Sequence, residues 1–331
     1  MKFGKDAPRY RAGHGELRGG TGGITRMCSA VDFLEVYKID RTFRIYTPES
    51  LDPGETDPDM HWMSKAVVDV GSANKIVARV FIQACEVLKN APLSEGIKEE
   101  DILRCMHRCK EQLLICEDKQ KHVSDETSRI YQLCKQGKLT KEGLHFTDFP
   151  QIDHLEEYCG VFLSNAKLTI QTIAELLNLF YKTSFDGPRF DKVVNWSKEE
   201  LKHNRAFVNC LEHHQMGLKH IVDLRNAQEH PKTNRKLVIE NFILKPGNTI
   251  CSPLWYISGE EPYRIDNTMM AMVNFLITFT ESVFLYCVMD NIYSSFPFIV
   301  RAIDDSSLDK SCPIKYFVEP NVMVPKGEKD Q

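Results

Sequence analysis

The chain has 331 residues, 42% of them hydrophobic and 27% charged, the composition of an ordinary globular protein with room for two domains and a sizeable core. Its formal net charge of −4 does not mark a general nucleic-acid binder, so any polyanion site has to be a local basic patch. The first 26 residues are rich in Gly and Arg and lack an apolar core, which excludes a secretory signal from this stretch.

Gly13, Gly15, Gly19, Gly20, Gly22 and Gly23 lie among basic residues. A phosphate-cradling loop needs a strand before it, a helix after it and a Gly-Lys-Ser/Thr ending, and this stretch has none of them. Residues 1–60 are therefore expected to be a flexible arm with a short strand region, because Thr42-Phe43-Arg44-Ile45-Tyr46-Thr47 alternates. Asp52-Pro53-Gly54 and Asp57-Pro58 initiate turns. From 61 to 88 the pattern turns helical, with Val67, Val68, Ile76, Val77, Val80, Phe81 and Cys85 as apolar faces, and Asn90-Ala91-Pro92 ends it. A second helical block spans 99–134. Residues 61–150 are thus expected to be an N-terminal helical region, closing in a loop marked by Gly137, Gly143 and Phe149-Pro150.

Eleven cysteines are scattered without a Cys-x-x-Cys pair, and Cys105, Cys109 and Cys116 share a helical face with Ile102, Met106 and Leu113. They read as reduced, buried small hydrophobes of a cytoplasmic protein. A zinc site of Cys105, His107 and Cys109 fails, since His107 points away from both cysteines on a helix.

Downstream, 151–181 is one long amphipathic helix on Leu155, Tyr158, Cys159, Phe162, Ile173, Leu176, Leu177 and Phe180, broken by Asp186-Gly187-Pro188. A second spans 197–229, with Phe207, Val208, Leu211, Leu218, Ile221 and Val222 on one face and Ser197 with Glu200 as a capping box. Residues 237–257 read as a β-hairpin about Lys245-Pro246-Gly247-Asn248. A third helix, 266–291, is apolar nearly all round and long enough to span a membrane. Asn274, Thr278, Thr280, Glu281 and Ser282 near its middle, and no flanking basic bias, favour a core helix and no membrane. Residues 293–331 form a strand-like C-terminal extension.

The stretch that gathers chemistry is Arg225-Asn226-Ala227-Gln228-Glu229-His230-Pro231. Arg225 continues the apolar stripe through Leu218, Ile221 and Val222, so its guanidinium must find a partner or line a cleft. His230 precedes a proline and is pushed out of helical geometry, which can swing it back toward Arg225. Lys219, His220, Arg225, Lys232, Arg235 and Lys236 face only Asp223 and Glu229 nearby, a positive patch on an acidic protein. This set suits RNA cleavage without a metal or cofactor. Histidine, which titrates near neutrality, can move the 2′-hydroxyl or 5′-oxygen proton, and arginine can hold the phosphate. One histidine covers only one of the two proton-transfer roles, so a two-fold dimer would supply the second.

Arg225, Asn226 and His230 resemble the R-x(4–6)-H signature of the HEPN superfamily, and 151–292 is similar to its helical bundle. The resemblance implies an all-α, HEPN-like bundle; the β-hairpin at 237–257 departs from the simple bundle as an insertion, and with the N-terminal helical region the expected fold is mainly α. It implies a homodimeric, metal-independent ribonuclease of toxin–antitoxin or phage-defence systems, with an antitoxin or regulatory protein as a further expected partner. Arg225, His230 and Asn226 would then be catalytic, and Lys219, His220, Lys232, Arg235 and Lys236 would bind RNA. The competing expectation is an Arg paired with Asp223 or Glu229 and a His capping a helix, in a silent module that regulates a partner or binds a nucleotide. His203, His213, His214 and His220 share a helix without His-x3-His spacing, so no metal is expected there. Trp255, Tyr256 and Tyr263 either stack on bases or cover the bundle.

Overall fold

Period-two alternation along residues 26–46 separates two sets of side chains, and these residues form three strands: Arg26–Ala30 (β1), Phe33–Tyr37 (β2) and Thr42–Tyr46 (β3). One helical turn, Pro48–Leu51 (α1), is capped by Thr47 and precedes Met63–Val68 (β4), which completes an antiparallel meander in the order β1-β2-β3-β4. The computed structural model describes residues 2–13, 15–30, 33–136, 149–246 and 249–321, and it divides into two units, each taken here by itself.

The first unit comprises 1–110, 179–182 and 284–331. A π-wound segment, Val77–Ile82, leads into Gln83–Asn90 (α2), and the unit also takes the start of Glu99–Lys135 (α3). On the sheet face toward α3, β2 buries Glu35 completely. An unpaired carboxylate there would be very costly. Glu35 instead accepts from His107 Nε2 at 2.9 Å, Arg44 Nε at 3.0 Å, the buried Lys110 ammonium and the Tyr37 hydroxyl. Burial pushes this carboxyl up, but the bond to His107 and the charge of Lys110 outweigh it and leave it well below the usual range. Arg9 is also buried, donating to Asp52 Oδ2 and to the carbonyls of Asp57 and Asp52, so the chain before β1 is anchored there.

Two late strands, Phe298–Ala302 (β10) and Tyr316–Pro320 (β11), pair antiparallel. They are held by a buried side chain: Gln83 Oε1 accepts the backbone N–H groups of Lys315 and Tyr316, both at 2.8 Å.

The second unit comprises 111–178 and 183–283. It contains the rest of α3, most of Leu155–Tyr181 (α4), Phe190–Glu200 (α5) and Arg205–Glu229 (α6). Five strands follow: Leu237–Glu240 (β5), Ile243–Lys245 (β6), Thr249–Cys251 (β7), Leu254–Ile257 (β8) and Tyr263–Arg264 (β9). Most of Ile265–Asp290 (α7) closes it. The region read as one hairpin is a three-stranded sheet, β5-β8-β9, with β6 and β7 as a separate pair; the turn residues Gly247 and Asn248 lie outside the described residues. Trp255 is fully buried, its ring 6.1 Å from Phe162 on α4. A buried side chain of that size contributes about 3 kcal/mol.

The expectation of a mainly α, all-α bundle is overturned: the chain is about 50% helix and 17% strand, with four small sheets. The strands run two to six residues against helices of up to 37, so their alternation is a weak signal beside the helical stripes. Residues 63–68 are likewise a strand and not a helix start, because they pair with β3. Ser197 does not cap α6. It is buried inside α5, where its hydroxyl donates to Val194 O, and the cap is Asn204, whose side chain accepts from Phe207 N. Among the described residues, α7 is the one helix long and apolar enough to cross a membrane, and 67% of its most apolar window is buried.

Candidate functional site

Phe207, Val208, Leu211, Leu218, Ile221, Leu224 and Ala227 bury one stripe of α6 and fix how its C-terminal end is presented. The helix stops at His230, whose backbone has φ −129° and ψ 64° and whose N–H still donates to Asn226 O at 2.9 Å. Pro231 follows and has no N–H to continue the ladder. The His230 ring is exposed and makes no hydrogen bond among the described residues.

Arg225 is four-fifths buried and turns along its own helix. Its Nη1 donates to Gln228 Oε1 at 2.9 Å and its Nη2 to Glu229 Oε1 at 3.1 Å. The swing of His230 toward Arg225 does not produce a hydrogen bond between them among the described residues, because positions three and four residues on along the helix take the guanidinium first. Glu229 is the common neighbour. The bond from Lys167 Nζ at 2.8 Å holds its carboxyl below the usual range, and the charges of Arg225 and His230 add to this.

Lys167 was not anticipated from the sequence. It is the one basic residue of α4, and its ammonium also donates to Asn226 Oδ1 at 3.1 Å, leaving the Asn226 amide N–H groups without a hydrogen bond among the described residues. Gly160 lies seven residues before it, on the same face of α4. A β-carbon on Gly160 would stand 2.9 Å from Gln228 Nε2, so the missing side chain lets α6 approach. A lone lysine and a lone glycine two turns apart are the only sequence signal of this contact.

The basic patch is more neutral than its composition suggests. Asp223 lies 3.6 Å from Lys219 Nζ and 3.4 Å from Arg235 Nη2, while Glu229 takes Arg225 and Lys167. Lys232 and Arg235 close a tight turn through two backbone bonds of 3.0 Å. The Lys232 and Lys236 side chains are exposed. His220 stands apart from the helix end, edge-on to Tyr263 with ring centroids 5.7 Å apart. The structure therefore brings Arg225, Asn226, Glu229 and Lys167 together, with His230 at the helix exit, and places His220 elsewhere on α6.

None of the eleven cysteines forms a disulfide, and Cys105, Cys109 and Cys116 are buried. His107 binds Glu35. No family model matches the chain, and no curated protein or solved structure does. The fold and site define a mixed α/β protein with an Arg–Asn–His helix end.

Proposed function

We propose that this chain is a metal-independent endoribonuclease of HEPN type, cytoplasmic and homodimeric, acting in a toxin–antitoxin or phage-defence setting. The observation that supports the reading is the helix end itself: an exposed His230 at the exit of α6 beside Arg225, Asn226 and Lys167, with acids that hold the cations in place. The 2′-hydroxyl of RNA attacks the adjacent phosphorus, forming the 2′-O–P bond while the P–O5′ bond breaks. The products are a 2′,3′-cyclic phosphate and a 5′-hydroxyl. One histidine takes the 2′-hydroxyl proton and a second protonates the leaving oxygen. His230 supplies one of these roles and His230 of a second copy the other. Arg225 turns from Glu229 to the phosphate, where a bidentate contact stabilises the growing charge.

A second reading rests on a specific observation, the saturation of Arg225 by Gln228 and Glu229. In that reading the helix end is a structural clasp, and the protein is a catalytically silent module that regulates a partner.

Incubating purified protein with RNA, with and without EDTA, separates the two. The nuclease reading expects cleavage that survives EDTA, spares a 2′-deoxy substrate and falls at least about a hundredfold in His230→Ala and Arg225→Ala. Cleavage that needs a divalent metal, or that survives both substitutions, overturns it. No cleavage together with a stable complex favours the silent module.

A further inference from the structure

The helical unit holds a recess that the proposed chemistry does not use. It lies between α6 and α7, has a volume of about 340 Å³, and is lined by Gly217, His220, Tyr263, Thr268, Ala271 and Phe275 among others. Gly217 creates it. A β-carbon there would stand 2.7 Å from the tip of the Phe275 ring, so the missing side chain lets that ring come up against α6 as an apolar part of the lining. Tyr263 stands at the rim, 47% exposed, unlike the buried Trp255 of the neighbouring strand.

The polar atoms of the recess are few and retain hydrogen-bonding capacity. No hydrogen bond engages the His220 ring or the Tyr263 hydroxyl among the described residues. Thr268 Oγ1 donates to Arg264 O at 2.6 Å and keeps its lone pairs for an incoming donor. A mainly apolar lining with a few donors and acceptors suits a planar heterocycle that has a hydrogen-bonding edge. Lys219 adjoins His220 in sequence and Arg264 adjoins Tyr263, and both are substantially exposed cations able to meet a sugar–phosphate backbone. Along α6, His220 lies about 15 Å before His230, a separation that a strand of a few nucleotides spans.

We propose that this recess holds one unpaired nucleobase of an RNA strand, with Tyr263 stacking on it and His220 and Thr268 reading its edge. The identification of the strand as RNA rests on the nuclease reading above; the recess and its preference for a base do not. Exposed Met216 and Met270 flank the lining residues in sequence, so docking of a second copy of this chain is the competing occupant.

The test uses the full-length His230→Ala chain and a fluorescent single-stranded hexaribonucleotide, intact or with one abasic position. Ala271 is exposed, so Ala271→Trp fills the recess without disturbing the core, and Tyr263→Ala removes the stacking ring while Tyr263→Phe keeps it. The proposal expects Ala271→Trp and Tyr263→Ala to weaken binding about tenfold or more, and Tyr263→Phe less than threefold. It also expects the abasic penalty to vanish in Ala271→Trp. Unchanged binding by a folded Ala271→Trp protein, no binding by the parent, or a change only in oligomeric mass overturns it. Loss of binding in Ala271→Trp without cleavage by the unsubstituted chain keeps the base subsite and sinks the nuclease. Cleavage with an unaffected Ala271→Trp does the reverse.

Discussion

Lys167 on α4 and Glu229 on α6 meet at 2.8 Å, and the same carboxylate takes the Arg225 guanidinium at 3.1 Å. One acid thus restrains the two cations nearest the helix end. In the nuclease reading it is the group that RNA must displace.

Glu229→Gln therefore frees both cations. The pair is about a third exposed on the Glu229 side, so solvent screening limits the loss of stability to about 1 kcal/mol or less. RNA binding should strengthen, with a steeper dependence on salt, in gel-shift titrations at two ionic strengths. Weaker binding would mean that Glu229 positions the cations instead of competing for them.

Glu35 accepts from four side chains, and Glu35→Gln presents an amide to donors that need an acceptor. Breaking such a buried cluster costs about 3–5 kcal/mol, visible in urea unfolding. The sign with pH follows from the lowered carboxyl. Its stabilisation is present above the ordinary value of 4.5 and fades as pH falls below it toward the depressed folded value. Acidification from pH 7 to below 4 should thus cost the native chain more than Glu35→Gln. Equal losses would remove Glu35 from the account of acid stability.

Gly160 and Gly217 should respond oppositely to alanine. At Gly160 the obstacle is the far end of a flexible Gln228, which can move, so the helix gains up to about 1 kcal/mol while Arg225 loses a partner. At Gly217 the obstacle is the Phe275 ring at 2.7 Å, and overpacking of about 1–3 kcal/mol outweighs the helical gain. Thermal unfolding of the two variants checks both signs.

Gln83→Leu keeps volume but strands the N–H groups of Lys315 and Tyr316, at about 1–3 kcal/mol for each donor left unsatisfied. Limited proteolysis should then cut between β10 and β11 sooner than in the native chain. An unchanged digestion pattern would show that the strands hold without this anchor.

What the sequence disclosed depended on the distance over which each relation acts. The stripes of α4 and α7 repeat within a few residues, so both helices were legible to within a few positions. The start of α6 was not, because Ser197 and Glu200 have capping-box spacing while Ser197 faces a core that only tertiary structure reveals. The burial of Glu35 has no local signal, since the groups that make it tolerable, His107 and Lys110, come 72 and 75 residues later. Arg225 was expected to find a partner or line a cleft, and it pairs with Glu229, one of the two acids named in the competing expectation. Lys167 was invisible for the same reason as Glu35: it meets Asn226 across 59 residues of sequence.

The most direct measurement is the chemistry of the ends left on RNA by the purified chain in EDTA. The account predicts 2′,3′-cyclic phosphate and 5′-hydroxyl termini, absent from digests with His230→Ala. Products ending in 3′-hydroxyl and 5′-phosphate, or the same termini from His230→Ala, would contradict it.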